Sequence, residues 1–453
     1  PFRVPSIRGQ LRFWWRATQG ANYPASDGDG GRWPIDQLRR DEAAIWGMAS
    51  VARDDVTGKQ TAPVPSSVRI RIENDASDKP ASRPVRADTV PLNSGQGYVY
   101  FPAREITGAH SRPASSYWWG RSATVHLTLD LDTLAANLGR LETRNVTRED
   151  APRQVAAALW AFGHFGGIGA RTRRGAGALR LTDIRGPFAS LLDNNYDADP
   201  AQVMERIERA SREFVRGEVA QAGDFPALKG AALTVVALDL PGRILPIRVP
   251  KRPDPVRIEL SDPERILSVV GGLMREFRQD DRFARLPGSG PRPGRSKWPE
   301  PDAIRTLVGQ WARPAHEPRL PVFFPRAAFG LPIVVKFNTR EPHQRGDPEG
   351  QVTIRPAGGL ERLASPVVLR PLPCKTNGKT LVACLLLNTP IEPPGGLVVD
   401  YGREYAVPRD ATPLGGTRHA PTVEPLRVMG HPIANEAFRR FVSKKGPQRS
   451  VQL

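Results

Sequence analysis

The chain has 453 residues, too many for one compact core and enough for two or three domains of ordinary size. Apolar residues make up 39% and charged residues 25%, with 42 glycines and 46 prolines, which falls short of a disordered composition and reads as globular domains carrying long loops. Two cysteines, Cys374 and Cys384, exclude a disulfide-built scaffold and a cysteine metal clip, and no apolar run reaches the roughly 18 residues of a membrane span. PFRVPSIRG at the start has no signal-peptide apolar region, so a cytoplasmic protein is expected. The 65 basic residues exceed the 47 acidic ones by 18, and 55 of the 65 are arginine. Guanidinium forks onto phosphate oxygens and stacks on bases, so this excess points to nucleic acid before a membrane surface.

In chain order, the first expected helix is SIRGQLRFWWRATQG, with Ser6 as its N-cap and Gly20 as its stop. Its periodicity sets Ile7, Leu11 and Trp14 on a packing stripe and Arg8, Arg12, Trp15 and Arg16 on an outward one. A Gly/Asp-rich loop follows at 21–31, then a helix over 35–49. The alternating runs at 66–74, 97–103 and 123–132 read as half-buried strands. A long amphipathic helix over 151–165 buries Val155, Leu159 and Phe162, keeps Trp160 near its edge, and stops at Gly166-Gly167. The loop GGIGARTRRGAG leads into an expected strand at 178–184. Residues 188–224 read as a helical connection, after which strand 231–240, helix 262–279, strands near 321–337, SPVVLRPL and TLVACLLLNT repeat the mixture of the first half. RFARLPGSGPRPGRSK (282–297) reads as a mobile basic loop and AFRRFVSKKGPQRSVQL (437–453) as a solvated basic tail.

No familiar catalytic pattern emerges. The seven histidines are scattered, with no H-E-x-x-H and no Cys/His pairing at zinc spacing. Asp27 and Asp29 support only a weak nuclease reading, and His164 is the best acid/base candidate, although a packed helix-terminal histidine is the stronger reading of it. The Gly-rich loop fails both dinucleotide and P-loop patterns, since Thr172 stands where the former needs Gly and no Gly-Lys-Ser/Thr follows. What it offers is Gly166, Gly167, Gly169, Gly175 and Gly177 among Arg171, Arg173 and Arg174. Few Cβ atoms would let backbone amides approach a phosphate chain while three guanidiniums neutralise it. The start of the first helix, with Ser6, Arg8, Arg12 and the neighbouring Trp15, reads as a second anion site.

SIRGQLRFWWRA (6–17) together with GGIGARTRRGAGAL (166–179) resembles the RAMP superfamily of CRISPR effector proteins, and within it the group placed first among the RAMP subunits of the type III-B Cmr complex. RAAFGLPI (326–333) and RLASPVVLRPL (362–372) resemble that family's second domain. The resemblance implies an α+β chain of two tandem ferredoxin-like (RRM-like) domains with insertions: 1–187, a helical connection 188–224, a second domain 225–410, and a basic tail 411–453. It further implies a non-catalytic subunit that holds the 3′ portion of CRISPR RNA and the paired single-stranded target RNA beside neighbouring RAMP subunits. The candidate RNA contacts are then Ser6, Arg8, Gly9, Arg12, Trp15 and Arg16 on the helix and Gly166, Gly167, Gly169, Arg171, Arg173, Arg174 and Gly175 on the loop; no cofactor or metal is expected. A RAMP-type endoribonuclease acting on CRISPR or target RNA is the alternative. The implied first domain would have a strand ahead of the first helix, so residues before Pro1 are expected, and 21–34 and 75–95 are expected to be insertions.

Overall fold

The computed structural model describes residues 2–23, 33–49, 62–74, 85–91, 94–106, 111–117, 120–217, 225–247, 256–280, 283–287, 294–309, 322–337, 347–375, 378–390, 392–393, 395–409 and 423–453. The first half runs α1 (Val4–Gln19), α2 (Trp33–Trp46), β1 (Val68–Asn74), β2 (Val85–Arg86), α3 (Gly95–Tyr100), β3 (Ser116–Tyr117), β4 (Ala123–Leu129), α4 (Leu131–Leu141), α5 (Ala151–Phe165), α6 (Ala189–Leu192) and α7 (Pro200–Phe214). The second runs β5 (Ala227–Asp239), β6 (Ile244–Ile247), β7 (Val256–Glu259), α8 (Asp262–Gln279), α9 (Glu300–Val308), β8 (Ile333–Lys336), β9 (Gln351–Pro356), β10 (Val367–Leu372), β11 (Lys379–Asn388), β12 (Leu397–Asp400), β13 (Glu404–Ala406), α10 (Glu424–Met429), α11 (Ala434–Ser443) and β14 (Gln448–Gln452).

At the centre is a four-stranded antiparallel sheet in the order β10-β11-β5-β14. With α8 after β5 and α11 before β14, its connectivity is β-α-β-β-α-β, that of a ferredoxin-like unit. Alternation along the strands divides its side chains between two cores. Leu233, Val235, Leu381, Ala383, Val368 and Leu372 face α1, α5 and α7, while Val236, Leu369, Val382 and Cys384 face α8 and α11. Burial on both faces explains why 381–387, within TLVACLLLNT, is continuously apolar instead of alternating. A further antiparallel sheet, β13-β12-β9-β8, combines two strands from between α8 and β10 with two that follow β11, and has its own core around Phe324, Val352, Ile354 and Val399.

The first half does not repeat the four-stranded plan. Among the described residues its α1-β1-β4-α5 run has a two-stranded sheet, and 178–184, expected as a strand, forms no ladder. Other expectations also change. Residues 97–103 are helical through Tyr100, because Ser94 caps α3 by accepting from Gly97 N at 2.9 Å. α1 starts at Val4, with Pro5 in its first turn, where a missing N–H costs nothing; Ser6 is therefore inside the helix and caps nothing. Trp160 is fully buried, not at an edge. The supposed C-terminal tail is structural: Phe438 and Phe441 of α11 fill the core under α8, and β14 closes the central sheet against β5. Its arginines stay at the rim, where Arg439 bonds Glu436 and Thr234. The basic loop at 282–297 is held at its base by Lys297 N donating to Ala284 O and Leu286 N to Arg295 O, each at 2.8 Å; its residues 288–293, Asp27 and Asp29, and most of the two expected insertions lie outside the described residues.

Candidate nucleic-acid interface

The Gly/Arg loop leaves the C-terminus of α5 and is fastened to the second half at several points. Arg370, on β10, occupies the strand position that faces α5 and is completely buried. Its guanidinium donates to Gly163 O at 3.0 Å and to Gly166 O, carbonyls that the end of α5 leaves open, and to Leu179 O at 3.0 Å beyond the loop. Burial brings its pKa down to about 9, so it stays a cation at neutral pH, placed favourably at a helix C-terminus. Asn194, also fully buried, donates to Gly163 O at 2.8 Å and Leu179 O at 3.1 Å and accepts from Leu181 N. Further on, Leu369 N donates to Arg173 O at 3.1 Å, so the loop runs beside β10 as a short parallel bridge at Arg174.

The glycines serve this fastening more than they serve a ligand. Gly177 has φ +67°, and a Cβ there would lie 1.9 Å from Ile168 O, where the loop closes through Ile168 N donating to Gly177 O. At Gly175, with φ +90°, a Cβ would meet Val270 of α8 at 2.6 Å. Gly166, Gly167 and Gly175 are buried, contrary to the expectation that they offer amides to a phosphate chain; Gly169 alone of the candidate glycines in the loop is exposed, beside exposed Ala170 and Arg171.

The arginines are where the charge collects. Arg171 stands at the exposed tip with φ +63°. Arg173 donates to Ser365 O and sits 5.1 Å from the Phe13 ring of α1, which ties the loop to the first helix. Arg174 reaches Phe329 O at 3.5 Å, and its Nη1 is a buried donor with no hydrogen-bond partner. Burial and then the charges of Arg278, Arg171 and Arg173 push the Arg174 pKa down to about 10, opposed by the phenol of Tyr98. Among the described residues, no carboxylate is one of the groups acting on Arg171 or Arg174. Such a convergence of like charges is unfavourable in the bare protein and complements a polyanion.

The first helix contributes less than its sequence promised. Trp15 is fully buried, donating to Gln154 Oε1 at 3.0 Å, so it is not on an outward stripe and offers no face for stacking. Arg12 and Arg16 both bind Glu42 of α2, at 2.6 and 2.9 Å. Ser6 and Gly9 are exposed, and Arg8 is half-buried with an Nε that finds no partner. Arg278, Tyr98 and Arg370 were not singled out from sequence: a lone arginine in an apolar strand and one in the last turn of a helix carry no mark of what the topology places opposite them.

His164 is packed among Trp160, Phe165 and Tyr196, with Nδ1 2.8 Å from Trp160 O. Burial lowers its pKa from 6.5 to about 4, only partly offset by that carbonyl. The unfolded chain therefore takes up a proton between these values that the folded chain refuses, and stability is expected to be flat above pH 6.5 and to fall as pH drops toward 4, by about 3 kcal/mol in all. Urea midpoints at pH 7 and 4.5 measure this; His164→Gln should remove most of the fall, and equal falls in both proteins would contradict the assignment.

The RAMP superfamily model matches residues 1–180, a span that begins with α1 and ends just past the Gly/Arg loop. That stretch is similar to the RAMP superfamily. The matched span thus contains the loop, while Arg370, Leu369, Ser365 and Arg278, which hold or adjoin it, come from outside it. Cmr1 from Pyrococcus furiosus, solved in an apo form, is a structural neighbour at 14% identity and a TM-score of 0.41, with 99% of this chain and 90% of that one covered. No curated protein matches the chain. No described helix is long and apolar enough to cross a membrane.

Proposed function

We propose that this chain is a non-catalytic RNA-binding subunit of a type III-B CRISPR Cmr ribonucleoprotein complex, gripping the 3′ portion of CRISPR RNA and the target RNA paired with it. The observation that carries this reading is the convergence of Arg171, Arg173 and Arg174 on a pinned loop of the span similar to the RAMP superfamily, with no carboxylate among the described residues acting on them. Fixed guanidiniums lose little entropy on meeting phosphates, and they contact the sugar-phosphate chain without reading bases. The family resemblance of SIRGQLRFWWRA and GGIGARTRRGAGAL supplies the identity of the RNA and of the neighbouring RAMP subunits.

Incubation of the purified protein with end-labelled CRISPR RNA and complementary target RNA, with and without a divalent metal, tests both parts. Retention of both RNAs at full length, weakening steeply with salt, is expected. Absence of any complex at 50 mM salt would refute binding. Site-specific products that vanish in His164→Gln would refute the non-catalytic role and support an endoribonuclease.

A further inference from the structure

We infer that Arg278 of α8 and Tyr98 of α3 complete, with Arg171 and Arg174, a seat for one backbone phosphate of RNA, so that the RNA path crosses from the matched span onto the second half of the chain. This rests on the RNA-binding reading and adds to it residues that lie in neither sequence motif. Arg278 donates to Tyr98 Oη at 3.1 Å and lies 5.5 Å over the Phe329 ring, while Phe329 O receives Arg174. Arg174 N donates to Arg171 O at 2.8 Å, which sets Arg171 beside this group, where α3, the tip of the Gly/Arg loop and the last turn of α8 come together.

Each group has a bond left to give. Arg174 Nη1 is a buried donor without an acceptor among the described residues, and Arg171 stands at the exposed tip of the loop, where the Arg278 charge acts on it. Tyr98 Oη accepts from Arg278, which leaves its own hydrogen to donate. A tetrahedral anion with several acceptor oxygens answers all of these donors at once and relieves the repulsion among three guanidiniums. Carboxylates do not pre-empt it: the nearby ion pair, Arg326 with Glu300 at 3.0 Å, uses the fully buried Glu300 side chain, which also accepts from Arg326 N at 2.7 Å.

The position of Tyr98 is built, not incidental. α3 lies on α8 so closely that a Cβ on Gly95 would fall 1.9 Å from Ser268 O and one on Gly271 would fall 2.1 Å from Gly95 O. Gln96 adds a bond to Glu264 O at 2.7 Å, and Tyr100 stacks on Tyr117 with ring centroids 3.9 Å apart. A six-residue helix cannot hold itself in place, and these contacts fix it where its tyrosine meets Arg278.

Fluorescence anisotropy of a labelled single-stranded RNA, titrated at several salt concentrations, tests the seat. Arg278→Gln should weaken binding about tenfold and lower the log-log salt slope by about 0.7, the contribution of one phosphate on a single strand. Arg278→Lys should keep the slope and lose part of the affinity, and Tyr98→Phe should weaken binding about threefold with no change of slope. Arg209→Gln, an exposed position of α7 across the central sheet, is the charge-matched control. If Arg278→Gln behaves like that control while substitution of the loop arginines abolishes binding, the seat is wrong and the RNA-binding reading stands. If none of these substitutions alters binding, that reading falls as well.

Discussion

Arg370→Ala is expected to destabilise the protein by about 2 kcal/mol, because Gly166 O loses its donor, at a cost on the order of 1–3 kcal/mol, while Gly163 O and Leu179 O keep only the bonds from Asn194. The side chain is fully buried and no carboxylate shares the site, so its charge is held by carbonyl dipoles alone. Water entering the space left behind would recover only part of the loss. Arg370→Lys keeps the charge but cannot fork to Gly163, Gly166 and Leu179 at once, and an intermediate loss is expected. Urea unfolding measures both. A wild-type midpoint for Arg370→Ala would mean that the loop is not anchored from β10. The same substitution should loosen Gly166–Gly177 before the central sheet unfolds, seen as faster amide exchange in the loop.

The combined substitution Arg171→Gln, Arg173→Gln and Arg174→Gln is expected to weaken RNA binding by about a hundredfold at physiological salt and to lower the log-log slope by between one and two units, at about 0.7 per lost phosphate contact. The expected drop is below three full contacts because Arg173 already spends one bond on Ser365 O and lies against Phe13. Glutamine retains hydrogen-bond donors for Ser365 O and Phe329 O, so the loop should keep its place while losing its charge. A salt slope equal to that of the wild type would show that these guanidiniums meet no phosphate.

Local signals made much of the framework legible. Helix α8 was readable to its ends because Ser261 and Glu264 form a capping box and its apolar residues recur at helical spacing. α5 is readable because Gly166-Gly167 stops a strongly apolar repeat, and β11 because the seven-residue apolar run 381–387 suits a strand buried on both faces. Errors arose where tertiary packing overrides period. GYVYFPA alternates like a strand, yet Gly95 and Gly271 permit a helix contact that no short-range pattern announces. Trp15 was assigned to the wrong stripe because α1, wedged between the central sheet and α5, is buried over more than one face. The C-terminal segment looked like a tail because its positive charge hid the aromatic spacing of Phe438 and Phe441.

The candidate site was legible in its residues and not in its physics. Arginines and glycines between 166 and 177 were visible at once, but the glycines proved to face the protein, and two of the three helix arginines proved to be bound to Glu42. The partners that shape the site, Arg370, Arg278 and Tyr98, are remote in sequence, and only the register of β10 and the docking of α3 bring them to the loop.

Ultraviolet crosslinking of bound CRISPR RNA, followed by mass spectrometry of the attached peptides, tests the account most directly. Crosslinks should fall on peptides containing Gly169–Arg174 and the last turn of α8 around Arg278, and should disappear in the triple glutamine variant. Crosslinks confined to α7 or to β12 and β13, with none on the loop, would contradict it.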